Sequence, residues 1–553
     1  MRYDEKYPSI PAMVRQSAKD FGEKTYVIDG DTRWSFVDVE QRMLEAARAF
    51  IALGLKPGDR VGLLGPNTAT WIQAALGIHA AGGVMIPLNT RFKGEELAHI
   101  LRKSGAAAVV TVGGFLGTDH VGMLRSAAGD TRAVENIIVL DDVDIEGTTT
   151  FTDFLAAGAA VPESEAIARI EAIKPEDLSD IMFTSGTTGA PKGVPHKHGV
   201  TLRVYGWLLD TYGVTKDDIH AIVPPFFHTF GYKAGWLGAL QIGLTIIPIQ
   251  TFDPLQLLET IQREKVSVIL GPPTIFVDLM NHPRLHEFDI SSLRIATASA
   301  ASIPVKLMSD IHDILGFDVV HNSYGLTEAH SVVSTTTRED PIELIAQSVG
   351  RAIDDVEVGI ADDDGNFLPV GETGEIMVRG YQVMDGYWDE PEETAKTLTA
   401  DGWLHTGDIG SLDADGNIRI TDRKKDMFIV GGFNAYPAEI ESMLTKHPKI
   451  QHAAVIGVPD DRMGEVGWAY VVPKAGVDLQ PQEVIDYARQ TLANFKVPRR
   501  VFVVEDLPRN ATMKVLKFAL RDQARALQAE EAQAKAAQST QAQAREAQSK
   551  AAV

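Results

Sequence analysis

Three glycines and four hydroxyl residues crowd into Thr184-Ser185-Gly186-Thr187-Thr188-Gly189-Ala190-Pro191-Lys192-Gly193, directly after the apolar Ile181-Met182-Phe183. A loop of this composition can turn its backbone N–H groups inward around a polyphosphate, with Lys192 adding a point charge. Taken alone it is equally a flexible connection. A Walker A loop is excluded, because Pro191 stands where glycine must precede the lysine and Gly193 replaces the required Ser/Thr. Further along, Tyr324-Gly325-Leu326-Thr327-Glu328 offers a hydroxyl and a hard carboxylate. Glu328 suits Mg²⁺, which takes one or two carboxylates beside phosphate oxygens and water. Thr327 can hydrogen-bond a phosphate, although on its own the pair also reads as the start of a surface helix. Asp408, in Trp403-Leu404-His405-Thr406-Gly407-Asp408, can accept from two neighbouring hydroxyls or simply close a turn.

These groups need elements to position them. Over residues 1–175, helix-like stretches (Val37–Leu53, Ala69–Ala81) alternate with short apolar runs (Arg60–Leu64, Val84–Pro87). That βα alternation predicts a layered α/β domain. It continues through Ala221–Val223, Thr245–Ile249, Val266–Gly271 and Leu293–Ala296. From about Val349 the texture changes to short runs with turn signals at Asp364-Gly365, Asp385-Gly386 and Asp415-Gly416, which predicts a β-rich subdomain over about 349–424. After Lys425 the helix-like Pro437–Lys446 and Pro481–Leu492 mix with strands Ala453–Val458 and Trp468–Val472. The fold expected is therefore α/β: a large layered N-terminal domain over 1–424 and a small, mobile α+β domain over 425–525. The Ala/Gln-rich tail, 526–553, reads as a solvated helical extension.

Composition removes several function classes. With 52 basic and 75 acidic side chains the formal charge is −23, which argues against general binding to nucleic acid or anionic membrane. There is no cysteine, so disulfides, thiolate metal sites and cysteine nucleophiles are excluded, and any thiol must come with a substrate. Met1-Arg2-Tyr3-Asp4-Glu5-Lys6 has no apolar core of the signal-peptide kind. The longest apolar run, Trp236 to Ile249, is interrupted by Gln241 and Pro248 and is too short to span a bilayer. A cytoplasmic protein is expected.

The ordered set Thr184–Gly193, Tyr324–Glu328, Trp403–Asp408, Asp422-Arg423-Lys424-Lys425-Asp426 and Leu507-Pro508-Arg509-Asn510-Ala511-Thr512-Met513-Lys514 resembles the adenylate-forming superfamily: acyl-CoA synthetases, peptide-synthetase adenylation domains and luciferases. The likeness runs from about Ser35 to Arg521. It implies an acyl-CoA ligase of the fatty-acid–CoA ligase kind, with ATP and CoA as co-substrates and Mg²⁺ as cofactor. Thr184, Ser185, Gly186, Thr187, Thr188, Gly189 and Lys192 would hold the pyrophosphate. Tyr324 and Gly325 would stack under adenine, with Ser299, Ala300 and Ala301 lying along the base and Asn322 reading its amino group. The family usually carries a glycine and a proline where this chain has Ser299 and Ser302. Asp408 would take the ribose hydroxyls, Arg423 ribose or phosphate, and Thr327 and Glu328 the α-phosphate and metal.

Lys514 would bridge the carboxylate and the α-phosphate in the first half-reaction; Met513 precedes it where the family has glycine. Rotation of the small domain about the hinge Lys425 would then bring Gly431, Gly432 and Phe433 to line a channel for the CoA pantetheine. His228, in Pro224-Pro225-Phe226-Phe227-His228-Thr229-Phe230-Gly231-Tyr232, matches a gate to the acyl site. Tyr232, Lys233, Trp236, Gly271, Pro272 and Thr274 would line that site. The stretch Phe226–Gly235 resembles ligases of alicyclic or steroid-derived propanoates, and a medium-chain acid is the other expectation. Two further readings stay open: an adenylating enzyme loading a carrier-protein thiol, and a non-catalytic nucleotide-binding regulator. The sequence also leaves a homodimer open.

Overall fold

The computed structural model describes residues 2–184, 191–299, 305–423, 426–430, 433–460, 462–510 and 515–530. They form two compact units. The first reaches Thr406 and takes in Gly410–Ile420; the second holds Gly407–Ile409, Thr421–Asn510 and the described residues from Val515 onward.

The first unit is built on two large sheets. One has nine strands, with a parallel run in the order Val319–Tyr324, Ile295–Ser299, Val268–Gly271, Ile219–Ile222, Thr245–Pro248, Thr25–Asp29. The other has seven and is parallel except where Leu178–Thr184 turns back along Lys192–Lys197, pairing Thr184 with Lys192. The strands are short apolar runs of the kind that parallel sheets covered on both faces require. Helices pack around them. Helix Phe36–Ala52 starts at a capping box in which Ser35 and Asp38 exchange hydrogen bonds, and Thr68 caps helix Ala69–Ala80. Helix Ala69–Ala80 is apolar on every side and nearly all of it is buried. It crosses Phe36–Ala52 so closely that a Cβ on Gly77 would stand 2.4 Å from the Cβ of Ala46.

The expected β-rich segment is a four-stranded sheet ordered Val356–Ala361, Gly374–Gly380, Leu404–Leu412, Ile418–Arg423. Two of its three predicted turns are alike: Asp362 Oδ1 accepts from the N–H groups of Asp364 and Asn366, and Asp413 Oδ1 from those of Asp415 and Asn417. The third signal, Asp385-Gly386, makes no hairpin. It lies in the loop between strand Gly374–Gly380 and helix Pro391–Thr397, where Trp388 N–H donates to Gly193 O at 2.8 Å.

The second unit is a five-stranded sheet centred on Gly464–Pro473, which pairs with Ile450–Asp460, Phe428–Val430 and Arg500–Val503. Helices Pro437–Leu444 and Pro481–Thr491 cover one apolar face. The other face takes Leu507 and, from a helix over 517–530, Leu520 and Ala524. No helix among the described residues is long and apolar enough to cross a membrane.

Candidate active site

Four of the segments singled out in the sequence follow carboxyl ends of adjacent parallel strands: Ile219–Ile222, Val268–Gly271, Ile295–Ser299 and Val319–Tyr324. Their ends are level, since Gly271 pairs with Ala298 and Ser299 with Ser323. Ligands of open α/β sheets bind at such ends. Ser299 Oγ lies 2.7 Å from Ser323 Oγ and accepts from Ser323 N–H at 3.2 Å, so this serine laces two strand ends together. Asn322 donates Nδ2 to the carbonyls of Ile345 (3.2 Å) and Ser348 (2.9 Å), which fixes its amide plane. Tyr324 closes its strand almost fully buried.

The chain reverses immediately after Tyr324. A Cβ on Gly325 would lie 2.0 Å from Ser331 O, a backbone atom that cannot yield, so the close approach requires glycine. A single 3₁₀ turn, Thr327–Ala329, presents Thr327 and Glu328, and His330 and Ser331 complete the reversal with positive φ. Glu328 Oε1 accepts from the Tyr387 hydroxyl at 2.9 Å. Burial, followed by the charge of Glu328, raises the Tyr387 phenol well above its ordinary range. Lys192 lies 5.0 Å from the Tyr387 ring centre and pairs with Glu393, whose carboxyl is held down to about 2 by Lys192 and Lys396. Tyr387 therefore draws Lys192 and Glu328 into one cluster. No three His, Asp or Glu side chains among the described residues gather as a metal site. Magnesium needs no such group, because a single half-buried carboxylate with a neutral hydrogen-bond partner suits an ion whose other ligands are phosphate oxygens and water.

A cavity of about 170 Å³ is walled by Phe115, Phe227, His228, Phe230, Phe252 and Ile275. His228, half-buried, accepts at Nδ1 from Phe230 N–H at 3.3 Å. The adjoining Thr229 donates to Ser331 Oγ at 2.7 Å and so ties the cavity wall to the turn that carries Glu328. Sequence reasoning missed Asn67, which lines the same cavity. Its Nδ2 reaches the carbonyls of Pro224 (3.0 Å), Ile249 (3.1 Å) and Ile222 (3.3 Å), and its Oδ1 accepts from Phe226 N–H at 2.8 Å.

Three expected pocket residues are not part of this cavity's lining. Tyr232, Lys233 and Trp236 are 0% exposed. They belong to a π-helical segment, Phe230–Leu237, that turns inward: Tyr232 stacks on Trp236 and bonds His79 Nε2 (2.9 Å), and Lys233 forms a buried ion pair with Asp180 (3.0 Å). An apolar stretch with one lysine carries no mark of which way it faces. Gly271 and Thr274 also stand off the wall, which Pro272 and Ile275 form instead. A Cβ on Gly271 would meet Ile275 Cδ1 at 2.5 Å, and Thr274 Oγ1 is buried with no hydrogen-bond partner among the described residues.

In the second unit Asp408 is buried on strand Leu404–Leu412, Arg423 ends strand Ile418–Arg423, and Phe433 begins strand Phe433–Ala435. Ser185, Gly186, Thr187, Thr188, Gly189, Ala300, Ala301, Lys425, Gly431, Gly432 and Lys514 lie outside the described residues.

Residues 14–388 match the family model of the AMP-binding enzymes, and residues 439–514 that of the AMP-binding enzyme C-terminal domain. The chain is 45% identical over 524 residues to the 3-[(3aS,4S,7aS)-7a-methyl-1,5-dioxo-octahydro-1H-inden-4-yl]propanoyl:CoA ligase of Rhodococcus jostii, covering 94% of this chain and 100% of that one. It is 32% identical to the mitochondrial medium-chain acyl-CoA ligase ACSF2 of Macaca fascicularis, over 93% of this chain and 87% of the relative. The crystal structure of the anthranilate CoA ligase AuaEII in complex with anthranoyl-AMP superposes with a TM-score of 0.86 at 26% identity, covering 95% and 98% of the two chains. The chain thus belongs to the AMP-binding enzyme family, the adenylate-forming superfamily, and stands within it among the AMP-forming acyl-CoA ligases.

Proposed function

We propose that the protein couples a compact alicyclic carboxylate to CoA through an acyl adenylate. The carboxylate oxygen attacks the α-phosphorus of ATP and pyrophosphate leaves; the CoA thiol then displaces AMP from the mixed anhydride. The observation that carries this reading is that one turn, Thr327–Glu328, is joined through Tyr387 to Lys192 and through Ser331–Thr229 to the wall of an apolar cavity. Nucleotide and acid would meet across that turn. Lys192 offsets charge on the departing pyrophosphate, and Thr327 offers its hydroxyl to the α-phosphate. Glu328 would hold Mg²⁺, which supplies charge neutralisation on the phosphates when bound. We assign to Lys514 the bridging of carboxylate and α-phosphate, and to Lys425 the hinge about which the second unit turns between half-reactions. With no cysteine in the chain, the thiol of the second step is the substrate's own. A cytoplasmic setting would supply ATP and CoA together.

The choice of acid follows from the cavity and the relatives. Its aromatic walls suit a ring body, and Thr90, Arg91, Gln250 and Thr251 add polar residues to the lining that would suit ring oxygens. The Rhodococcus jostii relative acts on a bicyclic, dioxo-substituted propanoate. A propanoate of that ring class is therefore the substrate proposed, with medium-chain acids as the competing class. The test is AMP release from ATP and Mg²⁺, with and without CoA, over bicyclic, aryl and medium-chain acids. CoA-dependent release that peaks with the bicyclic propanoates supports the reading; release with medium-chain acids alone overturns the substrate, and no CoA-dependent release with any acid overturns the reaction.

A further inference from the structure

Asp180, His196 and Lys233 are each 0% exposed. Burying an ion pair costs several kcal/mol per ion, and an apolar pair of similar volume often stabilises a fold as well or better. Stability alone therefore gives no reason for these charges, but their geometry does. Lys233 Nζ is 3.0 Å from Asp180 Oδ2, 2.6 Å from His196 Nδ1 and 3.2 Å from Thr201 Oγ1. On the other side of the imidazole, Nε2 is 2.8 Å from the carbonyl oxygen of Thr327. A carbonyl only accepts, so Nε2 carries the proton. Nδ1 faces an ammonium and carries the lone pair, which makes its 3.2 Å approach to Asp180 Oδ2 a contact and not a hydrogen bond. One neutral tautomer accounts for the contacts of both ring nitrogens.

The ring cannot easily tilt. His330 stacks on it at 4.0 Å between centres and is itself held by Gln382 O at 2.7 Å. Asp180 is steadied at Oδ1 by the hydroxyls of Ser179 (2.8 Å) and Tyr232 (3.4 Å). The carbonyl gripped by His196 belongs to the peptide bond between Thr327 and Glu328, the two residues to which the nucleotide and its metal are assigned.

We infer that Lys233, Asp180 and His196 are positioning residues for adenylation: the buried ion pair fixes the His196 tautomer, whose Nε2–H holds the Thr327–Glu328 peptide in the orientation that receives Mg²⁺·ATP. The inference rests on the nucleotide role given to that turn above. All three side chains are fully buried, so the role inferred for them is exerted through the turn and not by contact with substrate.

His196→Phe keeps the ring stacked on His330 and removes the donor, whereas His196→Gln offers both a donor for Thr327 O and an acceptor for Lys233. A shift of the turn by about 1 Å costs on the order of 100-fold in a positioned reaction. His196→Phe is therefore expected to slow carboxylate-dependent pyrophosphate exchange by that factor and to weaken Mg²⁺·ATP binding by calorimetry. CoA attack on supplied acyl-AMP should stay within about 3-fold, because the adenylate is already formed. His196→Gln should recover most of the loss. The double variant Lys233→Met, Asp180→Asn removes both charges together and frees the tautomer, so it should show the same selective deficit while avoiding an unpaired buried ion. Unchanged Mg²⁺·ATP affinity in the folded variants would overturn the inference, as would parallel loss of both half-reactions and of Tm with Gln no better than Phe. If the wild type shows no carboxylate-dependent exchange, the ligase reading fails, and Mg²⁺·ATP affinity across the same variants still decides the positioning role.

Discussion

Replacing Asn67 by alanine tests how the acyl cavity is held open. Asn67 is 3% exposed and ties the loop after strand Arg60–Leu64 to the ends of strands Ile219–Ile222 and Thr245–Pro248. The substitution strands the Phe226 N–H and leaves the carbonyls of Pro224 and Ile249 without their shared donor. A buried polar group without a partner costs about 1–3 kcal/mol. The N–H should bear most of that cost, while water entering from the adjoining cavity relieves the carbonyls, so the net loss is about 3 kcal/mol. Asn67→Asp should lose at least as much: it keeps the acceptor for Phe226 but aims a carboxylate at three carbonyl oxygens. Urea unfolding followed by tryptophan fluorescence gives the stability, with Trp71 as a local reporter at 5.4 Å from Phe226. The KM for the acid should rise about tenfold, since the Pro224–Pro225 wall loses its anchor. Stability within about 0.5 kcal/mol of wild type with an unchanged KM would refute the reasoning, as would Asn67→Asp proving more stable than Asn67→Ala.

Lys192→Met should raise the KM for ATP on the order of tenfold while costing less than about 1 kcal/mol of stability, because its pair with Glu393 is partly exposed; an unchanged KM would remove Lys192 from the nucleotide site. Lys514→Ala should abolish carboxylate-dependent pyrophosphate exchange and spare CoA attack on supplied acyl-AMP, and equal loss of both would contradict a two-conformation cycle. Burial, opposed in part by Asp218, lowers His220 from 6.5 to about 3. Between those values the unfolded chain binds a proton that the folded chain refuses, so this contribution is intact above pH 6.5 and is lost as pH falls toward 3, at about 1.4 kcal/mol per pH unit. His79 and His321, each lowered to about 4 mainly by burial, act in the same direction. His220→Leu should flatten the acid limb of the stability curve by about one proton, and an unaltered slope would show that His220 titrates normally.

The parts of the fold legible in the sequence were those with local causes. Strand Arg60–Leu64 and helix Ala69–Ala80 announce themselves through an apolar run and the Thr68 cap, and the twin Asp-Gly turns through side chains that bond their own backbone. The run Ala221–Val223 before Pro224–Thr229 could be read as a strand, whereas strand Val319–Tyr324, which carries Tyr324–Glu328, was not read from the sequence. What the sequence hides is direction and distant partnership. Lys233 reads as a polar accent in an apolar wall, since Asp180 and His196 come from two strands of the seven-stranded sheet and nothing near Lys233 signals them. Asn67 is a lone amide whose four partners come from segments more than 150 residues away. Such residues become visible only when the chain has closed on itself.

The nine-stranded sheet has a consequence for biosynthesis. The strands at one edge, Thr25–Asp29 and Thr32–Ser35, form a hairpin that is made well before Thr245–Pro248, yet it docks beside that strand, with Val27 opposite Ile246. The hydrogen bond from Thr245 Oγ1 to Thr25 O spans 220 residues. On a ribosome adding residues one by one, the hairpin waits for that partner, and strand Thr245–Pro248 emerges with a bare edge until the hairpin arrives. A chain trimmed to begin after Ser35 would leave that apolar edge permanently unpaired, an invitation to strand-to-strand aggregation even though no residue of the candidate site had been removed.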